Sequence, residues 1–256
     1  MLSRDELLSI CRLRKTKPWQ EEKRYAQILA LNAIASESVV MNGGTYLWLF
    51  HGLNRFSEDL DFTAKEELSE DIGQRIVDSM GLYGVSAERG MIKDDRLSLS
   101  FRLQIRGPLY VTERTTCYLW IEISKREKTR LPDILTEVDE PKYGIPPFYL
   151  RGMNLDECVA EKIRAIMTRN APRDLYDLWY LTKKQGRSAR QELINAKLSF
   201  YRLKYSRDSL IEEMQKYGVS WSRALKPMIF GPLPEFEHVV SDIASALTPN
   251  YAVFRE

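Results

Sequence analysis

The sequence predicts an α/β N-terminal half followed by an all-helical C-terminal half, and three observations carry that prediction. Residues 97–105 and 117–124 alternate apolar and polar side chains with the period of a half-buried strand. The segment "EPKYGIPPFYLRGMN", with Pro141, Pro146 and Pro147, breaks regular pairing and reads as a linker. Beyond it the apolar residues change to helical spacing, beginning with Leu155, Val159, Ile163 and Ile166. The expected organisation is an α/β domain over residues 1–140, opened by helices, and a helical domain over residues 148–256, with the site in the cleft between them.

Composition narrows the class. A chain of 256 residues has length to bury a core, and 44% hydrophobic with 29% charged residues is ordinary globular composition, so disorder is excluded as the main state. The net charge of +2 gives no global argument for nucleic acid. Any basic surface must come from local clusters such as "RLRKTK" (Arg12 to Lys17) and "KKQGRSAR" (Lys183 to Arg190), which read first as solvated helix ends. Cys11, Cys117 and Cys158 are far apart and odd in number, which excludes a full disulfide framework and a CxxC metal site. The N-terminus lacks the order of a signal peptide, and no stretch approaches the roughly 20 apolar residues of a membrane span. A soluble, cytoplasmic protein with no membrane partner is expected.

The elements follow in order. "SRDELLSICRLRK" opens with Ser3 and Glu6 at capping-box spacing, and "PWQEEKRYAQILALNAIA" continues as an amphipathic helix. "SVVMN" reads as a strand, "TYLWLFHG" as a helical segment closed by Gly52, and "SEDLDFT" as a second strand. "GVSAERG" and "RGPLY" read as breaks around the strand of Leu97, Leu99, Phe101, Leu103 and Ile105. In "CYLWIEIS", Cys117, Leu119, Ile121 and Ile123 share one face, which puts Tyr118, Trp120 and Glu122 on the other. After the prolines, "NLDECVAEKIRAIMTRN" is a helix capped by Asn154, and "PRDLYDLWYLTKK" starts with a proline suited to a first helical turn. "RQELINAKLSFYRL", "DSLIEEMQKYG" and "EFEHVVSDIASAL" read as further helices.

Chemistry concentrates in "NGGTYLWLFHGLNRFSEDLDF". On a strand, Asp59 and Asp61 project to one side about 7 Å apart while Leu60 and Phe62 face the core. Like charges so placed repel unless a cation lies between them, and a hard divalent ion with oxygen ligands, Mg2+, is the usual solution. Glu122 could add a third carboxylate from a neighbouring strand, a set suited to two-metal phosphoryl chemistry. Gly43 and Gly44 at a helix start let backbone amides approach phosphate oxygens. Each feature alone has a plain structural reading as a turn or a solvated strand end. Their combination on one strand, helix and strand is harder to explain without function. Tyr118 and Trp120 could stack on a base, although packing against the later helices is the more ordinary reading.

The order and spacing of these residues resemble the GG(T), helix, RxSxDxD signature of the AbiEii/MenT-like nucleotidyltransferase toxins, within the DNA polymerase β-type superfamily. A second block, "ECVAEKIRAIMTRNAPRDLYDLWYL", is similar to that family's later motif. The likeness spans roughly residues 25 to 185. It implies a polymerase β-like mixed sheet with flanking helices, followed by an all-helical C-terminal domain, and transfer of a nucleotide from an NTP. It further implies Asp59 and Asp61 as metal ligands, and Gly43, Gly44 and Thr45 around the triphosphate; many relatives carry an aspartate where Glu122 stands, so Glu122 is read either as a third metal ligand or as a longer carboxylate that only holds the site in place. Arg55 and Ser57 fall at the RxS positions, as nucleotide-binding residues or as braces of the loop, and Lys162 is the phosphate-contacting lysine. Lys162 also reads as a lysine snorkelling beside an apolar stripe, and a structural Arg55 would pair with Glu58 or Asp59. Asp174 and Asp177, three apart on one helical face, could each bond Lys162 or orient an acceptor hydroxyl, and Asp174 is carried as the catalytic candidate. An RNA acceptor such as a tRNA 3′ end and a cognate antitoxin complete the expectation. The alternatives are a small-molecule acceptor, as in antibiotic nucleotidyltransferases, and a catalytically silent NTP-binding regulator.

Overall fold

The computed structural model describes residues 2–69 and 71–247. Two compact units are present, one of Met1–Gly52 with Phe56–Met153 and one of Leu53–Arg55 with Asn154–Glu256. The helical unit therefore starts at Asn154 and not at residue 148, and residues 248–256 of the domain expected there lie outside the described residues.

The first unit opens with helices α1 (Arg4–Arg14) and α2 (Pro18–Ile34). The expected capping box closes α1, with the Glu6 amide donating to Ser3 Oγ and the Ser3 amide to Glu6 Oε2. Arg12 and Arg14 fall in its last turn, where cations favour the helix dipole. Strand β1 (Val39–Asn42), helix α3 (Gly43–His51) and strand β2 (Leu60–Ala64) follow as the pattern requires, with Gly52 capping α3. Helix α4 (Ile72–Leu82), strands β3 (Ser86–Asp94), β4 (Ser98–Arg106), β5 (Cys117–Ser124), β6 (Ile134–Val138) and β7 (Phe148–Gly152) complete the unit.

The seven strands form one mixed sheet in the order β3-β4-β5-β2-β1-β7-β6. β2 runs parallel to β5 and β1 parallel to β7, while the other neighbours are antiparallel. One face is apolar: Leu60, Phe62, Phe101, Leu103, Leu119, Ile121 and Ile123 are all buried, and α2 and α4 pack against this side of the sheet. Burying such side chains contributes about 1.5–3 kcal/mol each, which fixes the register, because a one-residue slip would turn every one outward.

Three readings change. The proline segment is no linker, since it holds a short 3-10 turn at Pro141–Tyr143 with Tyr143 buried, and then β7, which pairs with both β1 and β6. Its prolines fall before the strand, where no ladder bond is lost. "GVSAERG" is no break, since Ser86 to Gly90 lie within β3, whose charged residues and irregular register between Arg89 and Ile92 erase the alternation. Leu97 precedes β4 and is exposed, so the buried alternation starts at Phe101.

The second unit contains α5 (Leu155–Thr168), α6 (Pro172–Trp179) running into a π-helical turn at Tyr180–Lys184, α7 (Gln191–Leu198), α8 (Arg207–Gln215), α9 (Gly218–Leu225) and α10 (Phe236–Ala246). Asn154 caps α5 by accepting from the Asp156 amide, as expected. Among the described residues no helix is long and apolar enough to cross a membrane.

Candidate active site

The glycine turn is built around Asp61. Gly43 adopts φ +74°, and a Cβ there would fall 2.9 Å from Asp61 Cβ and Cγ and closer still to Oδ2. Only a residue without a side chain lets the carboxylate lie over the strand-to-helix junction. Asn42 occupies the N-cap position of α3, yet its side chain makes no cap bond and donates instead to Thr63 Oγ1 at 2.9 Å. The first-turn amides of α3 thus receive no capping oxygen from Asn42, and such amides are natural anion ligands.

Register brings the acids together. Asn42 pairs with Asp61, Asp61 with Glu122, and Glu122 with Ser100, so one polar row crosses four adjacent strands. Neighbouring strands lie about 4.8 Å apart, which places the Asp61 and Glu122 backbones side by side with their side chains on the same face. Both residues are half-buried.

Asp59 lies one residue before β2 and not within it. Its carbonyl accepts from the buried Thr45 hydroxyl, a side-chain bond in place of a ladder bond. Thr45 therefore positions the acidic segment through its backbone. Ser57 is buried, and its carbonyl together with that of Glu58 accepts from the Gln27 amide nitrogen, at 3.0 Å each. Gln27 is completely buried, and sequence reasoning missed it. The signal was a lone amide inside the apolar stripe of "YAQILA", since a buried polar group needs a partner.

Arg55, Lys162 and Asp174 belong to the helical unit, where they form one charged cluster. Arg55 is 2% exposed and forks onto Asp177, Nε to Oδ1 at 2.6 Å and Nη2 to Oδ2 at 2.7 Å. Asp177 is thus a partner that the sequence reading did not name for it. Lys162 Nζ lies 2.9 Å from Asp174 and 2.6 Å from Asp177, so both acids hold it. Arg169, which the sequence did not single out, forks onto Asp174 at 2.8 and 2.9 Å. Burial works against the charge on Lys162, but Asp177 and Asp174 outweigh it and raise its pKa. Burial likewise opposes ionisation of Asp174 and Asp177, and the surrounding cations overcome it and hold both carboxylates below their ordinary range.

Oxygen donors alone fill the Asp61 and Glu122 row, the chemistry that suits Mg2+. Among the described residues no group of three or more His, Cys, Asp or Glu side chains is gathered closely enough to enclose a metal. Mg2+ commonly needs only one or two carboxylates beside water and substrate phosphate, which the neighbouring pair can provide.

Comparison with known proteins identifies the family and the fold. The family model for the nucleotidyl transferase AbiEii toxin of type IV toxin–antitoxin systems matches residues 27–242. JHP933 from Helicobacter pylori shares the fold at a TM-score of 0.59 and 20% identity, over 89% of this chain and 89% of that one. MenT4, a nucleotidyltransferase toxin from Mycobacterium tuberculosis, does so at a TM-score of 0.65 and 17% identity, over 96% of this chain and 88% of that one. No curated protein sequence matches the chain. Since the family match runs from Gln27 in α2 to Asp242 in α10, across both units, the chain belongs to the AbiEii nucleotidyltransferase toxin family.

Proposed function

We propose that the protein transfers a nucleoside monophosphate from an NTP to a hydroxyl of RNA, with a tRNA 3′ end as the leading acceptor, and that Asp59, Asp61 and Glu122 hold Mg2+ for this reaction. The observation that carries the reading is Asp61 lying over Gly43 with Glu122 as its register partner. Bound Mg2+ would polarise the phosphoryl oxygens and offset developing negative charge. The chain's own groups do the remainder. Gly43, Gly44 and Thr45 present the start of α3 to the triphosphate, and Thr45, Gln27 and Ser57 fix the backbone that carries Asp59. The acceptor oxygen attacks the α-phosphorus, the bond to the bridging oxygen breaks, pyrophosphate leaves, and the hydroxyl proton passes to solvent or a nearby carboxylate.

In the helical unit, Lys162 is the proposed phosphate-contacting cation. Its ammonium has three N–H donors, and two carboxylates engage it, leaving one. Asp174 and Asp177 then position Lys162, and Arg55 holds Asp177. The type IV toxin–antitoxin family supports a cognate antitoxin as partner, and the cytoplasm, where NTP and RNA meet, is the proposed site of action. Incubation with each labelled NTP, Mg2+ and total RNA tests the reading. A labelled band of tRNA size is the expected result, and label confined to small molecules or absent altogether would overturn it.

A further inference from the structure

The sheet face that carries Asp61 and Glu122 continues along β4 and β5 into a group of side chains with no part in holding the fold's apolar core. Tyr118 and Trp120 precede Glu122 on the same face of β5, and Arg102 and Gln104 stand beside them on β4, paired in register with Trp120 and Tyr118. Tyr118 is 40% exposed, so the packed second layer expected around it is absent at that ring. The Arg102 guanidinium lies over the Tyr118 ring, 4.6 Å from its centroid. Among the described residues no carboxylate pairs with Arg102, and its shielded Nε takes no hydrogen-bond partner. Arg106, four residues on from Arg102, is already committed to Glu88 and Glu113.

We propose that Arg102, Tyr118 and Trp120 form the platform that receives unpaired nucleotides at the 3′ end of the RNA acceptor, next to the acidic row. Three features select this occupant. The rings offer π-faces to bases, and alternate residues on a strand are spaced about 7 Å apart, so the platform steps towards Glu122. An arginine without a carboxylate partner complements a phosphodiester and stacks on aromatic planes, whereas it repels the amine-bearing drugs that the small-molecule alternative requires. The platform is also continuous with the candidate site through Trp120 and Glu122 on β5. This inference rests on the RNA-acceptor reading above.

The test uses the full chain and a fluorescein-labelled single-stranded RNA of a dozen nucleotides with a free 3′ hydroxyl, read by anisotropy, alongside labelled-NTP transfer to total tRNA. Tyr118→Ala and Arg102→Gln should each weaken RNA binding roughly tenfold, the scale of one lost base stack or phosphate contact, and raise KM for tRNA while leaving NTP affinity unchanged. Tyr118→Phe, which keeps the ring, should behave as wild type. Wild-type transfer to tRNA combined with unchanged RNA affinity in both variants overturns the platform and leaves the acceptor reading intact. Lowered melting temperature with unchanged RNA affinity also overturns it, making the pair a brace of the sheet. If wild type transfers nothing to RNA but the variants still lose RNA binding, the platform stands and the reaction assigned above fails.

Discussion

Gly43→Ala separates backbone strain from displacement of Asp61, the acid on which the proposed site depends. Alanine at φ +74° costs about 1–2 kcal/mol, and in a unit of this size each kcal/mol lowers Tm by about 2–4 °C. The added methyl group would also fall 2.9 Å from Asp61 Cβ and Cγ, so the carboxylate or the turn must shift. A displacement of about 1 Å at a reacting centre costs on the order of 100-fold in rate. Gly144→Ala supplies the control, because Gly144 has φ +67° with nothing within 4 Å of its would-be Cβ. Both variants should melt a few degrees below wild type, about 2–8 °C from the figures above. Only Gly43→Ala should lose nucleotidyl transfer, by about 100-fold in a labelled-NTP assay. Equal transfer by the two variants would refute the idea that the glycine is there to admit Asp61.

Other outcomes follow from the same geometry. Asp59→Asn and Asp61→Asn should leave the fold intact and lower transfer at least ~100-fold, and near-normal turnover by both would remove them from the site. Lys162→Ala leaves Asp174 and Asp177 with one cation fewer and should cost about 3–5 kcal/mol in thermal melting, with Lys162→Arg retaining part; intact NTP binding by the alanine variant would make Lys162 purely structural. Burial opposes ionisation of Glu161, but Arg164 and Lys197 outweigh it and hold its pKa down from 4.5 to about 2. The unfolded chain therefore binds the extra proton between these values, so this contribution to stability is complete above pH 4.5 and lost as pH falls towards 2. Glu161→Gln should flatten the dependence of Tm on pH across that window. Expression of the wild-type chain should slow growth and the Asp61→Asn variant should not, while equal inhibition by both would point to misfolding or sequestration.

Local pattern alone determined a good part of this molecule. The alternation of Cys117, Leu119, Ile121 and Ile123 and the capping signals at Ser3 and Asn154 placed their elements correctly, because each depends on residues within one turn or one strand. The spacing of the glycines and Asp61 likewise pointed to one turn. What the sequence could not show was which strands are neighbours. β2 and β5 are separated by two strands and a helix in the chain, yet they pair in parallel, and only that pairing makes Glu122 the neighbour of Asp61. β7 was hidden for a similar reason. A five-residue strand after two prolines has too few residues to display a period, and its place in the sheet comes from partners more than 100 residues away on β1. Arg55 meets Asp177, 122 residues away, because a buried guanidinium requires a carboxylate that burial can shield with it, and tertiary packing supplied one from α6. Residue types set which chemistry was available, and long-range packing decided which groups would meet, since contact between distant segments depends on the whole core and leaves no local periodicity to read.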